Sequence, residues 1–285
     1  MRRLLSSTAL LALTSTCLWS QPALAVVVDI DTFTVQRNGS LFYQDTFSDG
    51  APPPSAQNFP SGLTASYTTA GTFPLGSEAA GVLVLNSANG AAGNNPLGQP
   101  RVTQFAALNT NVSGDLTTGL KIDDTLSVAG IFSLTLPTGP LVNGYGVRVS
   151  DRAAPLGIQQ AVQLSVLFNP ATGVVDIQYL LQDFDAGTNT ILGLVPLSAP
   201  AGADQIMLEI TRPDTSNNNF FGSWSFGAGG IFGPATTFSA SGVLFQGESF
   251  VRAEFLAFQG VPEPSALALF GLGLAGLAFT RRRRQ

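Results

Sequence analysis

The chain has 285 residues, of which 45% are hydrophobic and only 11% charged, less than half the roughly 25% charge of an ordinary soluble domain. Between residues 26 and 261, seven Lys or Arg stand against 17 Asp or Glu, a balance of −10 that six arginines at the two ends conceal; such a body excludes the phosphate-neutralising surface that nucleic acid requires. Histidine is absent and the one cysteine, Cys17, lies near the N-terminus, which excludes Ser-His-Asp catalysis, thiol nucleophiles, disulfides and His- or Cys-based metal sites in the body.

The N-terminus opens on Met1, Arg2 and Arg3, continues through a mostly apolar stretch at 4–19 and reaches Ala23-Leu24-Ala25. A positive start, a short apolar core and a small-x-small site make a secretory signal, with cleavage expected after Ala25. The partners this implies are the Sec machinery and signal peptidase. Residues 26–260 then read as one β-sandwich domain, a size that all-β units commonly reach.

Along that body, strands announce themselves by alternation. A strand at 41–47 is stopped by Asp49-Gly50 and the prolines at 52–54, and 89–95 reads as a Gly/Asn loop. Phe132, Leu134 and Leu136 alternate with Ser133 and Thr135; Tyr145, Val147 and Val149 alternate with Gly146, Arg148 and Ser150. Val162, Leu164, Val166 and Phe168, then Val175, Ile177, Tyr179 and Leu181, repeat the pattern on either side of Asn169-Pro170-Ala171-Thr172-Gly173, a hairpin signal. Ile206, Leu208 and Ile210 form a further run, and 183–189 and 214–219 are polar loops. Period two with one polar face predicts half-buried strands in antiparallel sheets. About a dozen strands, Gly- and Pro-rich turns and no 3.6-residue period predict an all-β sandwich or jelly roll.

Several side chains are candidates for chemistry, each beside a plainer reading. Asp183, Asp185, Gly187 and Asn189 have the oxygen-rich, pliable pattern of a calcium loop, though without an EF-hand's spacing or bidentate Glu, and a solvated turn after the strand ending near Gln182 is the plainer explanation. Asp29, Asp31, Asp123 and Asp124 read as strand-end or turn acids. Glu209, Glu248 and Glu254 are the strand-located glutamates; a glycosidase would need two such carboxylates facing each other. Trp224 and Phe226, with Phe220 and Phe221 beside Asn217, Asn218 and Asn219, offer either a platform for a sugar ring or a core stripe. No cofactor is expected, calcium aside.

At the C-terminus, Pro262-Glu263-Pro264 precedes an apolar run at 265–279, and Arg281, Arg282, Arg283 and Arg284 follow. Fifteen helical residues span roughly 22 Å, a short transmembrane helix that bilayer thinning and arginine snorkelling accommodate. The arginines would stay on the cytoplasmic side and the body outside. The three parts in this order resemble the PEP-CTERM sorting signal. That resemblance implies processing near Pro262 to Pro264 by an exosortase. It also implies passage through an inner-membrane intermediate to the surface or extracellular matrix of a Gram-negative, exopolysaccharide-making bacterium. The stretches at 45–50, 162–177 and 220–226 resemble the concanavalin and laminin-G type of jelly roll, but the Glu-x-Asp-x-x-Glu strand of its glucanases is missing. The expectation is a non-enzymatic surface protein associated with exopolysaccharide; the alternatives are a lectin-like module and, last, a glycosidase.

Overall fold

The computed structural model describes residues 25–53, 56–58, 64–108, 120–121, 123–151, 160–216, 219–238 and 251–261. In chain order the strands are β1 (Val27–Arg37), β2 (Ser40–Asp45), β3 (Ala56–Asn58), β4 (Thr64–Ala70), β5 (Glu78–Ala79), β6 (Val82–Asn86), β7 (Ala91–Asn94), β8 (Pro100–Leu108) and β9 (Leu126–Ser133). They continue with β10 (Asn143–Asp151), β11 (Gln160–Asn169), β12 (Val174–Asp183), β13 (Thr188–Pro196), β14 (Gln205–Arg212), β15 (Phe221–Ala228), β16 (Ile231–Phe232), β17 (Thr236–Thr237) and β18 (Val251–Gly260). Among the described residues the one helical element is a 3-10 turn at Ser87–Asn89, and no helix is long and apolar enough to cross a membrane. The expected signal helix and transmembrane helix fall outside the described residues.

Two antiparallel nine-stranded sheets face each other, as the alternation predicted. The first runs β16-β15-β14-β9-β1-β6-β5, with β17 on β15 and β2 on β1; the second runs β13-β12-β11-β10-β18-β8-β4-β3, with β7 on β8. β1 and β18 lie inside their respective sheets, and Phe33 of the one meets Phe255 of the other edge-to-face at 5.0 Å.

Local chemistry explains several details. A register shift between Ile30 and Thr32 inserts an extra residue into β1. It moves the buried set from Val28 and Ile30 to Phe33 and Val35, so both halves of the strand face the core despite the broken parity. The Asn169 hairpin forms as read: Asn169 Oδ1 accepts from Ala171 N at 3.0 Å, and Gly173 takes the left-handed φ of 69° that closes the turn. The 89–95 segment departs from its reading as a loop. Ala91–Asn94 pairs with the edge of β8 through backbone groups alone, which asks nothing of the side chains.

One corner of the core is polar. Tyr43 and Tyr67 both donate to Asp45 Oδ2, at 3.0 and 3.1 Å, and Tyr67 also reaches Tyr43 Oη at 3.0 Å. Asp45 Oδ1 accepts from Phe47 N at 2.9 Å, holding Phe47 at a φ of 49° with its ring in the core. Burial pushes the Asp45 carboxyl and both phenols above their ordinary ranges. Tyr67→Phe keeps the ring against Phe255 and deletes the hydroxyl. Urea denaturation is expected to show a loss of about 1–2 kcal/mol, because Asp45 retains its bonds from Tyr43 and Phe47.

Candidate binding face and sorting tail

The outward face of the second sheet differs from the half-exposed face that alternation predicts. β10 is buried along all nine of its residues, and seven consecutive residues of β11 are buried as well. Tyr145, Val147 and Val149 point into the sandwich. The alternate residues Gly144, Gly146, Arg148 and Ser150 share the other face with Gln163 and Ser165 of β11 and with Glu254, Leu256 and Phe258 of β18.

A cover accounts for part of this. The turn between β12 and β13 folds across the face, and Phe184 lines a cavity above Arg148. Gly187, at a φ of 65°, comes so close that a Cβ would stand 3.3 Å from the Pro96 carbonyl oxygen. β7 closes the cavity from the other side.

At the centre of the face, Arg148 and Glu254 are register partners on adjacent strands, with side chains only 2% and 0% exposed. Arg148 Nε donates to Glu254 Oε2 at 2.8 Å, its Nη2 approaches the same oxygen, and Ser150 Oγ donates to Oε1. The Arg148 guanidinium lies 5.4 Å from the centroid of Phe105, and Arg101 lies 5.8 Å from that of Phe258. Burial first, and then the positive charge of Arg148, pull Arg101 down to about 9, with Glu254 partly opposing them. Among the described residues Arg101 has no carboxylate within ion-pair distance. Thr103 Oγ1, which lines the cavity, is buried without a hydrogen-bond partner, as are Gln163 Oε1, Gln182 Oε1 and Asn189 Oδ1 on the more distant strands β11, β12 and β13.

The residues singled out in the sequence take other places. Asp183 accepts from Ala186 N at 2.8 Å and from Gln160 Nε2 at 2.9 Å, which fixes the turn that covers the cavity. Asp185 is exposed, Asn189 Oδ1 is buried without a partner, and among the described residues no three acidic side chains gather as metal ligands. Trp224 is 8% exposed and packs against Phe238 at 4.8 Å, which in turn stacks on Tyr179. Phe226, half-buried, packs on the same core. Shared parity with Gly222, whose Cβ would meet Tyr179, turns both rings inward. Glu209 accepts from Ser127 Oγ at 2.6 Å and Ser223 Oγ at 3.4 Å on the outer face of the other sheet. Glu254, read as one strand glutamate among three, is the buried partner of Arg148; only knowledge of which strand lies beside β10 could have paired them.

Of the signal site, Ala25 is half-buried at the head of β1 and Ala23 lies outside the described residues. Val26 is already part of the core, donating its N–H to Ser87 Oγ at 2.9 Å. At the other end, Gly260 N donates to Val142 O at 2.7 Å and Val261 N to Pro100 O at 3.0 Å. Pro262, Glu263 and Pro264, the apolar run and the four arginines lie beyond, outside the described residues.

A model of the PEP-CTERM protein-sorting motif matches residues 260–284, beginning on the last residue of β18. No curated protein and no solved structure matches the chain. Residues 260–284 are thus a PEP-CTERM sorting motif joined directly to a two-sheet β-sandwich, and the chain is an exported, envelope-sorted protein processed by exosortase-like machinery.

Proposed function

We propose that this is a non-catalytic surface protein, delivered by its tail and retained at the cell surface or in the extracellular matrix through association with exopolysaccharide. The observation that carries the reading is the sorting motif beginning at Gly260, with no linker between it and β18. In this reading Sec and signal peptidase act at Ala25, the apolar run holds the chain in the inner membrane, and the arginine cluster stays on the cytoplasmic side. Cleavage near Pro262 removes the anchor after the last strand, and the sandwich leaves whole. The two strand carboxylates support binding over catalysis: buried Glu254 is ion-paired, and partly buried Glu209 is bonded to serines on the opposite sheet.

The test is fractionation and intact-mass analysis of the native chain beside a variant with Pro262, Glu263 and Pro264 changed to alanine. The wild type is expected to begin at Val26, to lack Arg281 to Arg284, and to collect outside the inner membrane. The variant is expected to stay in the membrane fraction with its arginines. A variant that reached the surface in the wild-type amount, or a wild type that kept Met1 and the arginines, would overturn the reading.

A further inference from the structure

We infer that the covered cavity on the second sheet is a binding site for the carboxylate of an acidic sugar, with Arg101 as the anchoring cation. The inference deepens the exopolysaccharide reading above and names the chemistry by which the sandwich would hold such a polymer.

Charge is the first ground. Two guanidiniums and one carboxylate occupy the site, and both oxygens of that carboxylate are taken: Oε2 by Arg148 and Oε1 by Ser150. Arg101 is therefore a cation without a counter-ion among the described residues, near a second cation and packed on Phe258. A cation in such a place favours an anion, and a planar fork favours a carboxylate, which it can hold through two parallel bonds. One uncompensated cation accommodates one anionic group. A polyanion such as nucleic acid would need many.

An unsatisfied acceptor is the second ground. Thr103 lines the cavity beside Arg101, and its hydroxyl is buried without a partner. Buried acceptors call for donors, and a sugar ring brings hydroxyl donors along with its carboxylate.

Space is the third. The cavity holds about 180 Å³ between Ala70, Phe105 and Phe184, room for a ring of monosaccharide size and below the usual range for larger ligands. Arg101 also borders a second cavity of about 280 Å³, walled by Pro140, Leu141, Val142 and Phe258. A chain whose uronate sits on Arg101 can thus continue on the far side of it, which suits a polymer.

The test uses the full-length chain in detergent and isothermal titration with sodium glucuronate, glucose, sodium sulfate and a short oligouronate. Glucuronate is expected to bind, the oligouronate to bind more tightly, and glucose and sulfate to bind at least tenfold more weakly, by the logic that a charged, bidentate contact is worth roughly a factor of ten or more. Arg101→Gln is expected to weaken glucuronate at least ~10-fold and Thr103→Val by ~3-fold, with unchanged thermal midpoints. Should Arg101→Gln fail to fold, Thr103→Val, which keeps the side chain's shape, decides the matter by the same readout. Equal binding of sulfate or glucose, or wild-type affinity in the variants, would overturn the assignment. Absence of glucuronate binding in a protein still retained by native exopolysaccharide would overturn this site while leaving the surface reading standing.

Discussion

Glu254→Ala is expected to destabilise the sandwich by about 3–5 kcal/mol, the largest single-residue effect argued from this structure. The substitution leaves the Arg148 guanidinium buried at the centre of the second sheet with no carboxylate. The Phe105 contact of Arg148 offsets only a small part of the cost. Ser150 loses its acceptor at the same time. Arg101, already held down by burial and by Arg148, loses the negative charge that opposes that repulsion. Since β10 and β18 are neighbours inside the sheet, the damage cannot be relieved by an edge peeling away. The double variant Arg148→Met/Glu254→Leu is expected to recover most of the loss, because a buried ion pair replaced by apolar groups of like volume is often neutral or better. Equilibrium urea denaturation of the wild type, the single and the double variants checks both outcomes. A single variant within 1 kcal/mol of wild type, by the scale of exposed ion pairs, would show that water reaches this pair.

That prediction concerns the part of the molecule hardest to read in the sequence. Alternation correctly separates Tyr145, Val147 and Val149 from Gly146, Arg148 and Ser150, because side-chain parity is a local property of a strand. It does not say what lies over the second set. The cover comes from Phe184 and Gly187 in one hairpin turn and from Pro96 in a loop some 90 residues earlier, and nothing local links them. The Asn169 hairpin was legible since its signal lies in five adjacent residues. β7 was not, since its pairing is carried by backbone groups that every sequence has. Trp224 shows the limit of composition: an aromatic next to asparagines suits a sugar platform as well as a core, and it is parity that favours the core, since Gly222 on the same face lies against Tyr179 and Trp224 packs on Phe238. The tail was legible in full because order of parts along the chain is all that the sorting signal consists of.

The second large effect is on pH. At one edge of the sandwich Glu78 Oε1 accepts from Gly50 N at 3.1 Å. Burial, then a hydrogen bond and repulsion from Asp49, then repulsion from Asp45, push its carboxyl up to about 7 from an ordinary value of 4.5. The unfolded chain releases this proton near pH 4.5, whereas the folded chain holds it until about pH 7. Between those values the folded state binds more protons than the unfolded one, so stability falls as pH rises through the window and levels off above it. Asp45 and Asp31, both raised by burial, act in the same direction. The protein is therefore expected to be about 1–2 kcal/mol more stable at pH 5 than at pH 8, with water screening at the sheet edge keeping the effect below that of a dry site. Glu78→Gln retains an oxygen for Gly50 N and supplies an amide donor to Asp49. It is expected to flatten the slope between pH 5 and 7 and to raise stability at pH 8 while leaving it nearly unchanged at pH 5. Urea titrations at pH 5, 6, 7 and 8 on both chains measure this directly; a wild-type midpoint that rose across the window, or an equal slope in Glu78→Gln, would mean that Glu78 stays ionised in the fold.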